Sequence, residues 1–320
     1  MSDPVFANVL ERCLGVQRGE DIVLLVDEGT DAEVIAVFRD ELSRRRCTPV
    51  VAAIPVPELP GSEPPRPVAA AMRQADAVIE LTSLFIGSNR ARRDATAAGV
   101  RYLAMPGVKM STFRDGGPLA VDFDQLRAGA TEVGDAWTEA SEFRLTTPAG
   151  TDLRGSVDGR PGRVLHGVCR GVGEYMAPPD VEAGTAPVEG TTEGVVVVDA
   201  DFLFMGVGPL PEPVTLTFAA GELVDIDGHE GERLREMIDR CDDPRMSNLA
   251  EVSLGLNPAG LVCDVAMETE SALGTAHIAV GNSIAYGGTV DARAHLDCVM
   301  RDASLELDGN LVMSCGHPPD

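Results

Sequence analysis

The chain has 320 residues, 44% of them hydrophobic and 24% charged, an ordinary balance for a folded globular protein and a length that suggests about two domains. Acidic residues outnumber basic ones by 51 to 26, and the formal charge of −25 argues against nucleic acid and against an anionic membrane surface, since both need a basic face. No run of about 18 apolar residues and no charged-then-apolar leader is visible, so a cytoplasmic protein that does not engage a membrane is expected.

The first 110 or so residues alternate between strand and helix patterns. Asp3-Pro4 is suited to open a helix, with proline at its first position and Val5, Val9 and Leu10 as an apolar stripe. Asp21–Asp27 is a short continuous apolar run, the pattern of a strand buried on both faces. Thr30 is the expected cap of the next helix, with Glu33 as its capping-box partner and Val34, Val37, Phe38 and Leu42 facing inward. Arg44–Arg46 close that helix where its dipole favours positive charge. Further strands are expected at Thr48–Ile54, Asp76–Leu81 and Arg101–Met105, with helical segments near 67–75 and 87–98 between them. Such alternation predicts an α/β domain with a parallel sheet. Pro55–Pro65 reads as a loop, and no Gly-x-Gly-x-x-Gly or phosphate loop follows the first strand, which removes the main support for a nucleotide site.

A helical stretch containing Leu119–Val133 leads to an expected domain boundary near residue 135, so that 1–135 form the parallel-sheet domain and 136–320 a β-rich α+β domain. Phe143–Thr147 alternates; Val214–Phe218 and Glu222–Ile226 flank Ala219-Ala220-Gly221 as a hairpin; Leu305–Leu307 and Asn310–Val312 flank Asp308-Gly309, a strong two-residue turn. His229–Arg240 is expected as a helix among these strands. Trp137, the single tryptophan, lies at the boundary and reads as an inter-domain packing residue. The seven cysteines never form a Cys-x-x-Cys pair, which excludes a zinc ribbon and argues for reduced thiols; Cys298 reads as a buried small residue.

Two of the five histidines fall in an acidic, glycine-rich segment of the last third, as His277 and as His295-Leu296-Asp297, with Glu251, Glu268 and Glu270 around them. Imidazole and carboxylate are the ligand set of zinc, manganese, cobalt and non-haem iron. In a strand, His295 and Asp297 project to the same face and can chelate one ion. His277 sits in an apolar run that would equally suit a satisfied core histidine. Arg154, Arg160 and Arg163 could fix a substrate carboxylate, although solvated surface arginines are the simpler account.

Taken with Leu14–Glu20, Thr147–Leu153, Ala186–Gly190, Gly194–Asp199, Glu251–Pro258 and Gly274–Gly281, this pattern resembles the thermophilic-type leucyl aminopeptidase T metallopeptidases. It also resembles their relative, 2,5-dihydroxypyridine 5,6-dioxygenase. The resemblance runs through nearly the whole chain. Carried over by motif, the peptidase pattern implies Glu182, Glu251, His277, His295 and Asp297 as metal ligands, with Glu182 and Glu251 as the catalytic carboxylates. Two divalent ions (zinc, cobalt or manganese) would activate water for amide or peptide-like hydrolysis.

The peptidases carry a tyrosine seven residues after the equivalent of His277, where this chain has Ile284; Tyr286 comes two residues later. In the dioxygenase, two histidines and an aspartate hold one iron, and one of those histidines falls where this chain has Glu251. A facial triad could be rebuilt as His277, His295 and Asp297. The expectation is therefore a metallohydrolase acting on a small molecule or short peptide, with homodimerisation implied by the resemblance. An Fe(II) dioxygenase cleaving a hydroxylated ring stands second, and a non-catalytic ligand-binding relative third.

Overall fold

The computed structural model describes residues 3–205 and 208–319. They form a mixed α/β protein of two compact units, one through Arg127 plus His166–Asp180, the other Ala128–Leu165 plus Val181 onward. The units are not two consecutive stretches divided at residue 135: the division falls at 127/128, and the segment 166–180 returns to the first unit.

In the first unit, α1 (Pro4–Asn8), α2 (Ala32–Arg44), α3 (Arg66–Gln74) and α4 (Arg90–Ala97) alternate with β1 (Asp21–Val26), β2 (Thr48–Ala53), β3 (Ala77–Glu80) and β4 (Arg101–Ala104). The four strands are parallel in the order β2-β1-β3-β4, and Tyr175–Met176 adds a short parallel strand beside β4. β3 and β4 are buried at every residue, as strands of such a sheet must be. Val34, Phe38 and Leu42 are the buried face of α2, and Phe6 stacks on Phe113 at 3.8 Å with Phe38 edge-on at 4.9 Å. The cap of α2 is Asp31, which accepts from the Glu33 amide at 2.9 Å, and not Thr30. The Thr30 hydroxyl instead donates to the Leu81 carbonyl at 2.8 Å, tying the ends of β1 and β3 together. Asp27 adds to that tie by accepting from both the amide and the hydroxyl of Ser83 at 2.9 Å.

From residue 140 the chain is largely short strands. They are β5 (Glu142–Thr146), β6 (Asp152–Ser156), β7 (Arg163–Leu165), β8 (Tyr175–Met176), β9 (Glu182–Thr185), β10 (Glu193–Val198), β11 (Asp201–Phe202), β12 (Val214–Ala219), β13 (Glu222–Asp227), β14 (Leu249–Gly255), β15 (Ala276–Gly281), β16 (His295–Met300), β17 (Ser304–Leu307) and β18 (Asn310–Met313). A helix α5 (Phe123–Glu139) precedes them; α6 (Gly231–Cys241) and the six-residue α7 (Ala266–Ser271) lie among them.

The second unit holds two antiparallel sheets, one in the order β13-β12-β10-β6-β5-β17-β18 and one in the order β11-β16-β15-β14-β9-β7. Both expected hairpins form; Asp308 and Gly309 take the positive φ values of 49° and 78° that a tight two-residue turn needs. Trp137 is fully buried within this unit, where its indole N–H donates to the Ala183 carbonyl at 3.2 Å, so it packs inside one unit. Among the described residues, no helix is long and apolar enough to cross a membrane.

Candidate metal centre

The six-stranded sheet gathers all five expected ligands on one face. Glu182 lies on β9, Glu251 on β14, His277 on β15, and His295 and Asp297 on β16. The register explains why they converge. Glu251 pairs with Ala279, which pairs with Asp297; Gly184 pairs with Ser253, which pairs with His277; Gly255 pairs with Glu182, and Gly281 with His295. Directly paired residues share a face, so each expected ligand has a glycine, alanine or serine as a paired neighbour, with Val299 on the other side of His277. That leaves space between the large side chains. A Cβ on Gly184 would lie 1.7 Å from the Ser253 hydroxyl oxygen, so the sheet accepts nothing larger there.

Four contacts knit the cluster. His277 Nε2 lies 3.1 Å from both Glu182 Oε2 and Glu251 Oε1, while His295 Nε2 lies 2.9 Å from Glu251 Oε2 and 3.1 Å from Asp297 Oδ1. Glu182, Glu251 and His277 are buried, whereas His295 and Asp297 are partly exposed, so the centre opens at its β16 end. Neighbours fix the donors. Ser253 donates to Glu251 Oε1 by a short hydrogen bond, and the Asn282 carbonyl takes His295 Nδ1 at 2.7 Å, which turns Nε2 of that ring toward the carboxylates. Tyr286 donates to Glu182 Oε1 at 2.6 Å and lies flat against His295, with ring centroids 5.5 Å apart.

Charge is the governing problem in this pocket. Burial raises the Glu182 carboxyl above its ordinary range, and the Glu251 charge adds to this. Burial also acts against charge on Glu251, but the two imidazoles outweigh it and hold that carboxyl down at about 2. For His277 and His295 burial opposes protonation, yet the facing carboxylates win, and both imidazoles stand well above their usual value.

A sixth group belongs here. Glu270, on α7, is buried, and burial followed by the charges of Asp297 and Glu182 pushes its carboxyl well above the usual carboxylate range. The principal charges acting on Glu182, Glu251 and Glu270 are other carboxylates and the two histidines, with no lysine or arginine among them.

These residues fit a divalent metal. Among the described residues, two groups of three donors form, Glu182-Glu251-His277 and Glu251-His295-Asp297, each with donor atoms within 4.8 Å of one another. Glu251 belongs to both. Its Oε2 is buried and lacks an aligned hydrogen-bond donor, as is His277 Nδ1 a buried atom without a partner. Imidazole with carboxylate suits zinc, manganese, cobalt and iron. The rebuilt facial triad of His277, His295 and Asp297 is not one of the two groups, because the two histidines fall in different ones.

The other candidates stay outside. Arg154 and Arg163 are exposed on β6 and β7, and Arg160 is spent on protein partners described below. Glu268 accepts from the Leu261 amide at 3.2 Å and Cys298 is a buried thiol, consistent with the packing role read for it.

The chain matches the family model of NicX, 2,5-dihydroxypyridine 5,6-dioxygenase, over residues 3–318. It belongs to that family. A curated 2,5-dihydroxypyridine 5,6-dioxygenase of Pseudomonas putida KT2440 is 23% identical over 209 residues, which is 62% of this chain. The aligned stretch spans 59% of that relative's length. The solved structure of the 2,5-dihydroxypyridine dioxygenase from the same strain superposes with a TM-score of 0.80 at 19% identity, covering 98% of this chain and 96% of that one. Wild-type AmpT from Thermus thermophilus superposes with a TM-score of 0.72 at 18% identity, covering 99% of each chain. The fold is thus common to a dioxygenase and an aminopeptidase, and both resemblances read from the sequence are found. At such identities the superpositions establish the fold alone, and the chemistry must be argued from the site.

Proposed function

We propose that this protein is a metal-dependent enzyme in which Glu182-Glu251-His277 and Glu251-His295-Asp297 would hold two divalent ions, and that it hydrolyses an amide or related bond in a small molecule or short peptide. The observation that carries this reading is the sharing of Glu251 between two three-donor groups. Donor type supports it: Glu182, Glu251 and Asp297 place three carboxylates beside two imidazoles, a ligand set that suits two divalent ions.

Bound metal would supply Lewis acidity toward water and a substrate carbonyl, or, as a single iron, one-electron chemistry toward oxygen. The protein's part is placement. Ser253 donates to Glu251 Oε1 and so orients the carboxylate that both donor groups share. Glu270, buried and outside both donor groups, is the carboxyl left for proton transfer at the centre. The partly exposed His295 and Asp297 form the side from which substrate would enter.

The second reading, ring-cleaving dioxygenase chemistry, is favoured by the comparisons: the family model, the curated relative and the neighbour with TM-score 0.80 all carry that activity in their names. On this reading one iron would sit on Glu251, His295 and Asp297, and the substrate would be a hydroxylated heteroaromatic. The donor set favours the hydrolase and the kinship favours the dioxygenase. Replacing Glu182 separates them. In Glu182→Ala, elemental analysis should show the metal content per chain falling from about two to about one under the two-ion reading. A content of about one in both the wild type and the variant would leave Glu182 outside the ligand set and favour the mononuclear alternative.

A further inference from the structure

Tyr286 reaches the metal centre from a stretch of chain that has little apolar packing of its own. Ile284 is 51% exposed, Ala285 and Thr289 are exposed, and none of Tyr286, Gly287 or Gly288 is fully buried. What places the phenol must therefore be polar. Near the start of the loop, the Ser283 amide donates to the Val290 carbonyl at 2.9 Å, and the Ala186 amide donates to the Tyr286 carbonyl at 3.0 Å. On its far side stands an ion pair. Arg160 donates from Nη1 to the Gly287 carbonyl at 2.7 Å and pairs through Nη2 with Glu189 Oε2 by a short contact. Glu189 Oε1 in turn accepts from the Thr289 amide at 2.8 Å and from the Thr289 hydroxyl at 2.9 Å. Both members are shielded, with side-chain exposures of 10% for Arg160 and 28% for Glu189. Gly287 adopts a φ of 88°, and a Cβ there would lie 2.6 Å from the Pro161 ring, the residue after Arg160.

We infer that Arg160 and Glu189 form a clamp that grips the loop at Gly287 and Thr289 and so sets Tyr286 against Glu182 and His295. Arg160 is then a positioning residue: Nη1 is taken by the Gly287 carbonyl, Nη2 by Glu189, and its Nε is buried, so the guanidinium presents no open face to a substrate carboxylate. The clamp stands on the geometry alone; its effect on metal binding rests on the reading of the centre given above.

Arg160→Met removes the fork, Arg160→Lys keeps the charge but not the bidentate geometry, and Glu189→Gln releases Thr289 from the other side. Hydrogen–deuterium exchange over 282–290, which needs no metal, reads the clamp directly. Exchange there should rise in Arg160→Met and in Glu189→Gln, with Arg160→Lys between them and the wild type. Unchanged exchange in both disruptive variants overturns the clamp. Zinc affinity, measured by competition with a chromophoric chelator, reads the link to the centre. Arg160→Met and Tyr286→Phe should each weaken zinc about tenfold, the scale seen when a group orienting a ligand is lost. The Arg160→Met/Tyr286→Phe double variant should lose little beyond Tyr286→Phe alone, because both act through one contact. Losses that multiply to about a hundredfold overturn action through Tyr286. Should the wild type take up no zinc, manganese, cobalt or iron, the metal reading falls and the exchange result alone decides the clamp.

Discussion

Gly184→Ala is a single added methyl placed where the structure has no room for it. Gly184 lies on β9 opposite Ser253, and an alanine Cβ would stand 1.7 Å from the Ser253 hydroxyl oxygen and 2.5 Å from the Val252 carbonyl oxygen. The hydroxyl can rotate away, but doing so gives up its short hydrogen bond to Glu251. The carbonyl belongs to the β14 backbone and falls 0.9 Å short of ordinary contact at 3.4 Å, so the two strands must part. Overpacking of this kind costs about 1–3 kcal/mol. Losing a hydrogen bond to a buried charge adds about 1.5–3 kcal/mol. A total of about 4 kcal/mol corresponds to a drop in melting temperature on the order of 10 °C for a unit of this size. Differential scanning fluorimetry on metal-free and metal-loaded protein measures it, with Ser253→Ala as the control that loses the hydroxyl and keeps the space. Gly184→Ala should melt about 10 °C lower and bind metal more weakly, and Ser253→Ala should show the smaller part of each effect. A Gly184→Ala protein that melts within about 1 °C of wild type, with unaltered metal affinity, would refute the packing argument around Glu251.

Other outcomes follow from the same contacts. Trp137→Phe leaves the Ala183 carbonyl, next to Glu182, buried without its indole donor, and should cost about 1–3 kcal/mol in chemical denaturation; a loss below about 0.3 kcal/mol would show that this bond does not hold β9 in place. In metal-free protein, the folded-state values of His277 and His295 are raised, so their stabilisation is full below about 6.5 and is lost as pH rises through the higher folded values. Glu251, held down at about 2, gives stability that is present above its unfolded value of about 4.3 and is lost as pH falls toward 2. Thermal melts of metal-free protein should therefore fall in temperature between pH 6 and pH 10, and a flat or rising profile would contradict the imidazolium–carboxylate pairing. Metal uptake must displace those protons, so titration calorimetry in buffers of differing ionisation enthalpy should register proton release and an affinity that grows with pH. Absence of any buffer dependence would mean that the histidines are not ligands.

Much of this architecture was legible in the sequence, and the exceptions share a cause. Continuous apolar runs marked β1, β3 and β4, and Asp308-Gly309 marked its hairpin, because burial on two faces and positive φ leave local traces. The clustering of Glu182, Glu251, His277, His295 and Asp297 was legible because strand alternation and family motifs carry these residues. Contacts distant in sequence leave no such trace. Thr30 has the chemistry of a cap but is drawn to the Leu81 carbonyl, 51 residues away, and Asp31 caps instead. Glu270 was visible as an acidic residue near the motif, yet its six-residue helix is too short for a periodic signal. Tyr286 is out of step with the family spacing, and only the three-residue turn Ile284–Tyr286, closed by left-handed Gly287, shows how it still reaches Glu182. Arg160 looked like a surface arginine because its partners, Glu189 and Gly287, lie 29 and 127 residues away.

Glu251 belongs to both donor groups, and metal content per chain reads its role. Protein purified without chelator and without added metal would be subjected to elemental analysis alongside Glu251→Ala. Close to two zinc, manganese or cobalt ions per chain are expected in the wild type, with loss of both in the variant, because Glu251 serves each group. Close to one iron per chain, with oxygen uptake on a hydroxypyridine, would overturn the two-ion centre and establish the mononuclear dioxygenase in its place.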